Sequence, residues 1–221
     1  MTKALSPGFR RVLLPIAVCL FVAGVWLTGL IPAVKLLGDN VRLPIFHGGS
    51  TWVSLATFTL AGLLAAAYLA TRSEGVYRWA AGFWIVSVPL WVLNTVLGVI
   101  AAMRTWDFSG SSVSPILAIR EDPRLLAQFE LLLILALVVA ADFMYSSHRV
   151  RALLNVVFLV VMWSLLGWVF LNPQAKALHP DNPVLNSGWE IKGPFFAIVA
   201  CVFLSAAILA WLWRDYLVRS E

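Results

Sequence analysis

Six long apolar stretches separated by short polar connections decide what this chain can fold into. They run over about residues 12–37, 50–70, 79–102, 125–145, 152–171 and 193–213. Each is close to the ~20 residues an α-helix needs to cross a bilayer. Hydrophobic residues make up 61% of the 221-residue chain and charged residues 12%. A soluble domain is nearer roughly half apolar and a quarter charged, so lipid must solvate the excess. Inside a bilayer each backbone N–H and C=O has to be satisfied within the structure, which selects helices for segments of this length. The expected fold is all-α: a polytopic membrane protein of six transmembrane helices, one integral membrane domain over residues 1–221. No repeat, low-complexity tract or long soluble region interrupts it.

The charges then orient the spans. Lys3, Arg10, Arg11, Arg72, Arg78, Arg149, Arg151, Arg214 and Arg219 fall on one side of a six-span arrangement. Short basic connections of this kind stay in the cytoplasm. Both termini are therefore expected there, with the chain in the inner (cytoplasmic) membrane. The net charge of +5 does not point to nucleic acid, because no basic stripe carries aromatics along a polar groove. Residues 1–11 followed by an apolar run imitate a signal peptide. The run is too long and lacks a clean small-residue cleavage site, so it reads as an uncleaved first helix. Cys19 and Cys201 lie inside apolar runs without a CxxC pattern and read as small buried hydrophobes.

Two longer connections, residues 103–124 and 172–192, fall on the opposite, outer side, where ordered loops tend to carry function. His47, in Arg42-Leu-Pro-Ile-Phe-His47-Gly-Gly-Ser-Thr-Trp52, precedes the second span. His179, in Lys176-Ala-Leu-His179-Pro180, precedes the last. The topology puts both imidazoles at one face of the membrane, outside the spans. Two neutral imidazoles on opposite faces of a haem make it six-coordinate, but interfacial histidines that hydrogen-bond locally fit the same positions. Gly48 and Gly49 either let a flat ligand approach the backbone or give a flexible start to a helix capped by Ser50 or Thr51. Most of the 11 tryptophans suit interfacial anchoring. Trp106 and Trp189 fall in the outer loops, where they could also wall a planar ligand. Asn94, Gln128, Glu130 and Asn155 are the polar residues within spans; Asn94 reads as an interhelical hydrogen-bonding group. Arg120 and Arg124 suit anionic groups such as propionates and equally suit Glu121 and Asp122. His148 reads as a solvated residue in a short basic turn. No nucleophile–base pair, phosphate loop or thiolate metal set appears, so no enzymatic activity is expected.

The segment from Gly38-Asp-Asn-Val-Arg42 to His47-Gly-Gly-Ser-Thr-Trp52 resembles the histidine segment of the CcmC-like cytochrome c assembly proteins. The stretch from Trp168-Val-Phe-Leu-Asn172 through Leu178-His179 to Pro194 is similar to that family's last outer loop. The family has six spans and two outer histidines, one before the second span and one before the last. The resemblance implies a haem-handling protein that holds haem b on the outer, periplasmic face for delivery to apocytochrome c. It would act with other membrane subunits and without catalysis of its own. His47 and His179 would be axial ligands; Trp106, Trp52 and Trp189 would flank the ring; Arg120 or Arg124 would hold a propionate. The chain departs from the family in its third loop. There Arg104-Thr-Trp106-Asp107-Phe108 stands in place of a tryptophan-rich motif, and that bears on haem transfer more than on haem binding. Two rivals remain from other classes: a haem b electron-transfer anchor working with quinol, and a structural subunit that has lost haem.

Overall fold

A computed structural model of the chain describes residues 5–35, 37–106, 108, 114–171, 184 and 187–220, leaving out the side chains of Arg120, Glu121 and Ser220. Its helices are α1 (Pro7–Leu27), α2 (Arg42–Thr71), α3 (Glu74–Thr105), α4 (Pro115–Glu121), α5 (Pro123–Met144), α6 (His148–Leu171) and α7 (Trp189–Ser220). Six of them, all but α4, are long and apolar enough to cross a membrane. The chain is thus an all-α, multi-pass membrane protein, as its apolar stretches predict. Each long helix runs opposite to the one before it. The start of α1 and the end of α7 share one end of the bundle, here the terminal end. The longer connections occupy the other, here the loop end.

Local chemistry explains the helix boundaries, including those that differ from expectation. Ser6 caps α1, its hydroxyl accepting from the Phe9 N–H at 3.3 Å, with Pro7 in the first turn. The first span was expected to reach residue 37, but Ile31 is extended (φ −73°, ψ 122°). Ile31 precedes Pro32, and a residue before proline is pushed out of the α region. The chain then makes a tight turn in which Val34 and Gly38 exchange backbone hydrogen bonds, with Gly38 at φ +53°, a conformation that favours glycine. Arg42 ties this turn down, donating from Nε to the Ile31 carbonyl at 3.1 Å and pairing with Asp39 at 3.0 Å. Helix α2 starts at Arg42 rather than near residue 50. Pro44 sits in its first turn, where the missing N–H has no helical partner to lose. Asp122 caps α5, its carboxylate accepting from the N–H groups of Arg124 (2.9 Å) and Leu125 (3.0 Å). Part of the 103–124 connection, expected as a loop, forms α4.

Helix α2 lies at the centre, packed on α3, α6 and α7, while α1 packs chiefly on α7. One core cluster joins the start of α2 to α7 through Ile45, Val53, Phe195, Ile198 and Val202. A second joins α2, α3, α5 and α6 around Phe58, Trp84, Trp91 and Phe158. Close approach at two crossings depends on glycine. A Cβ on Gly62 would lie 2.6 Å from Leu159 of α6, and one on Gly82 would meet the Ala210 carbonyl of α7. Small residues at crossings let helices pack by van der Waals contact where lipid removes the hydrophobic drive.

At the terminal end the helices are joined by ion pairs. Asp215, fully buried, accepts from the Leu5 N–H and pairs with Arg10 (3.5 Å) and Arg219 (3.2 Å). His148 is not a solvated turn residue: it begins α6, stacks on Tyr77 with ring centroids 4.0 Å apart, and meets Glu74 at 3.1 Å. Cys19 also departs from expectation, lying exposed on α1 rather than buried; Cys201 is half-buried, and neither forms a disulfide. The exposed apolar residues of α1, among them Val12, Val18, Val22 and Trp26, form the lipid-facing surface such a helix needs.

Candidate functional site

The loop end contains a cavity of about 260 Å³. Five helices build it by presenting one face each. Helix α2 contributes Pro44, His47, Gly48, Thr51, Trp52 and Leu55, a stripe with i, i+3, i+4, i+7 spacing. Helix α3 contributes Trp91, Gly98, Ala101, Ala102 and Thr105, and α5 contributes Arg124, Leu125 and Gln128. Phe170 of α6 and Phe195 at the start of α7 complete the apolar wall.

Four of the residues singled out in the sequence therefore share one cavity: His47, Trp52, Trp106 and Arg124. His47 is not in a loop ahead of the second span, as expected. It sits in the second turn of α2, because the helix begins early. The 30 residues of α2 extend about 45 Å at ~1.5 Å per residue, against a hydrocarbon core of about 30 Å. With α2 centred, His47 lies near the boundary between headgroups and hydrocarbon. Trp106 follows α3 and packs with Phe108 over Ala102, Ile119 and Leu125, so α4 and its cap hold the tryptophan at the rim. Trp52 lines the cavity with half its surface exposed. Trp189 lies apart. It opens α7, is 75% exposed and is not among the cavity walls, which suits an interfacial anchor. The Arg120 side chain and all of His179 lie outside the described residues.

The geometry around His47 is tight. A Cβ on Gly98 would lie 2.9 Å from His47 Cε1 and 2.9 Å from Gln128 Oε1. Gly98 is thus the space into which the imidazole of α2 and the amide of α5 converge. Beneath them, Asn94 of α3 is fully buried, and its Oδ1 faces Ser50 Oγ at 2.9 Å and Thr51 Oγ1 at 3.0 Å. Those hydroxyls also reach the His47 carbonyl, at 2.9 and 2.8 Å. A hydroxyl has one proton, so each donates to the carbonyl or to the amide at a given moment. The expected role of Asn94 as an interhelical hydrogen-bonding group holds, and both its partners lie one turn from His47.

Among the described residues, Trp91 Nε1, Gln128 Oε1 and Arg124 Nε are buried without a protein hydrogen-bond partner, and all three side chains line the cavity. Such groups normally find a partner in protein, water or ligand. The chemistry on offer is an imidazole, a guanidinium, an indole N–H and an amide within aromatic walls. That suits a flat, largely apolar molecule with an anionic or polar edge. Trp91 and Gly98 were not recognised from the sequence as site residues. Their signal is the seven-residue spacing that puts them with Asn94 on one face of α3. Glu130, the other polar outlier of α5, is exposed. No group of three or more His, Cys, Asp or Glu that could hold a metal ion occurs among the described residues. The chain matches no protein-family model and no curated protein.

Proposed function

We propose that this protein binds haem at the loop-end cavity and holds it for a partner, in the manner of a cytochrome c assembly component. The observation that carries the proposal is the convergence of His47, Trp52, Trp106 and Arg124 on one cavity. They come from three separate parts of the chain, and each carries a group suited to haem. The donor set fits the group. His47 supplies an imidazole, aromatic rings supply flat apolar walls, and Arg124 supplies a cation for a propionate. The cavity, at about 260 Å³, is just below the roughly 300–1,000 Å³ of pockets that enclose a small molecule. A partly enclosed ring, accessible to a partner, agrees with that size. Bound haem would supply the iron to be delivered, and the protein would perform no catalysis. His179 is the proposed second ligand, working from the last loop. The cavity end would face the periplasm, with the termini in the cytoplasm and other membrane subunits receiving or loading the haem.

Absorbance tests this. The chain, expressed in haem-replete cells and purified in mild detergent, should show a low-spin spectrum in oxidised and dithionite-reduced forms. His47→Ala should lose the haem or turn it high-spin, and His179→Ala should do the same. A wild-type protein that stays colourless with added haem would sink the proposal.

The position of His47 also supports a second reading. Electron-transfer anchors hold haem b on histidines within spans, and His47 lies within a helix after all. A haem reduced by quinol and reoxidised without leaving the protein would favour that role over delivery.

A further inference from the structure

Helices α2 and α6 run antiparallel, and their seam changes character along its length. On the terminal side it is closed. A Cβ on Gly62 would lie 2.6 Å from Leu159, and Trp163 Nε1 donates to Thr59 Oγ1 at 3.0 Å. Seven residues from that bond toward the loop end lie Trp52 on α2 and Phe170 on α6. Seven residues are nearly two turns, about 10.5 Å at ~1.5 Å per residue. Trp52 and Phe170 therefore stand at one height, on the helix faces that meet at Thr59 and Trp163. Yet neither covers the other: both line the loop-end cavity, and each has 52% of its surface exposed.

Between the two heights the seam is edged by small residues. Ala56 is exposed on α2, and a Cβ added to Gly167 of α6 would meet nothing within 4 Å. Gly167 is one turn from Trp163 and one turn from Phe170, on the side of α6 that carries both. Leu55 and Leu166, the inward neighbours of Ala56 and Gly167, are cavity walls, so at this height one layer of side chains separates cavity from lipid. The result is a window framed by Trp52, Phe170, Thr59 and Trp163. Trp52 lies five residues, about 7.5 Å, inward of His47, so the window faces hydrocarbon rather than water. Interfacial anchoring accounts for tryptophan at a helix end. It does not account for exposed aromatics that also wall a cavity, beside open space at a glycine.

We propose that the ligand of the loop-end cavity enters and leaves sideways from the bilayer, through the α2–α6 window between Trp52 and Phe170. The class this route selects is a flat amphiphile dissolved in the membrane. Its apolar plane passes between two aromatic rings, and its anionic edge stays toward the loop end, where Arg124 lines the cavity. The Trp163–Thr59 hydrogen bond fixes the lower edge of the window and keeps the seam shut below it. Haem is such an amphiphile, so the inference deepens the haem reading and rests on it for the identity of the cargo, though not for the route.

The test uses the full chain carrying Cys19→Ser, Cys201→Ser and Ala101→Cys in phosphatidylcholine vesicles. Ala101 lines the cavity from α3, away from the window. The probe is N-(1-pyrenyl)maleimide dissolved in the bilayer, a flat apolar molecule whose arrival is read as covalent labelling of the new thiol. Gly167→Trp, added to this background, fills the window from outside the cavity wall and should slow labelling at least about tenfold. Gly167→Ala places only a methyl group in open space and should not. Ala56→Leu obstructs the opposite edge and should also slow labelling, so the test survives if Gly167→Trp does not fold. With the native cysteines and Ala101 in place, haem uptake from vesicles and haem release to apomyoglobin should both slow in Gly167→Trp, with the final spectrum unchanged. A chain that takes up no haem but labels at these contrasting rates would lose the haem reading and keep the route. No labelling before the window is filled, or equal labelling with Gly167→Trp and Ala56→Leu as without them, would overturn the route.

Discussion

The two ends of the bundle solve the burial of polar groups in opposite ways. At the terminal end, charge meets charge: Asp215 with Arg10 and Arg219, and Asp142 with Arg151. At the loop end the buried polar groups are mostly uncharged and surround a space. Asn94 joins two helices through Ser50 and Thr51, while Gln128 and Trp91 turn polar atoms toward a larger aromatic cavity. An ion pair fixes geometry but completes itself. A cavity edged by unsatisfied donors and acceptors is completed only by what enters it. The terminal end holds helices together through ion pairs, and the loop end keeps a larger cavity edged by buried polar atoms.

Four substitutions sharpen that contrast. The largest loss of stability is expected at the terminal end. Asp215→Ala removes a fully buried carboxylate that holds the Leu5 N–H, Arg10 and Arg219 at once, and losing several charge-assisted hydrogen bonds together costs about 3 kcal/mol or more. Reversible unfolding in mixed micelles should show it, with the haem spectrum of any folded protein unchanged. Next, Gly98→Ala drives a methyl group into His47 and Gln128. Overpacking of this kind costs about 1–3 kcal/mol, and the haem spectrum should change with it. Gly62→Ala, which crowds Leu159 instead, should cost a similar amount and leave the spectrum alone. If both glycine variants alter the spectrum equally, Gly98 has no special relation to the cavity. The smallest effect is expected for Asn94→Ala. Interhelical hydrogen bonds in membranes are worth about 0.6 kcal/mol on average and up to about 1.7, and the loss should appear in the same unfolding measurement.

The six spans were legible because a bilayer reads little more than length and apolarity, and both are written directly in the sequence. Their edges were less so. Gly48 and Gly49 read as a flexible entry to a helix that starts near Ser50, since glycine is a poor helix former. The structure carries α2 straight through them, because α7 covers that face. A Cβ on Gly49 would lie 3.4 Å from Ile198 and Val199, so the glycine serves a helix crossing rather than a bend. The reverse error occurred before α2, where an apolar count extended the first span over Pro32. Of the site, the chemically distinctive members were visible singly: His47, Trp106 and Arg124. The residues that give them a common space, Gly98 and Trp91, have no distinctive chemistry and acquire meaning only when α3 is laid beside α2. The role of Asp122 was masked by its neighbours, because an acid beside Arg120 and Arg124 reads as an ion-pair partner. The local Asp122-Pro123 sequence makes it a helix cap instead.

The contact between α1 and α7 has a consequence for how the protein comes into being. Helix α1 packs chiefly against α7, which is far from it in the sequence. Ser205 Oγ donates to the Ala17 carbonyl at 2.8 Å, and Gly24 sits against Val202. During synthesis α1 precedes α7, its main neighbour, so it waits in the bilayer on its own apolarity until α7 is made. The seam closes only when Asp215 emerges and captures Leu5 and Arg10. A chain without Asp215 leaves the Leu5 and Arg10 end of α1 without the carboxylate that holds it.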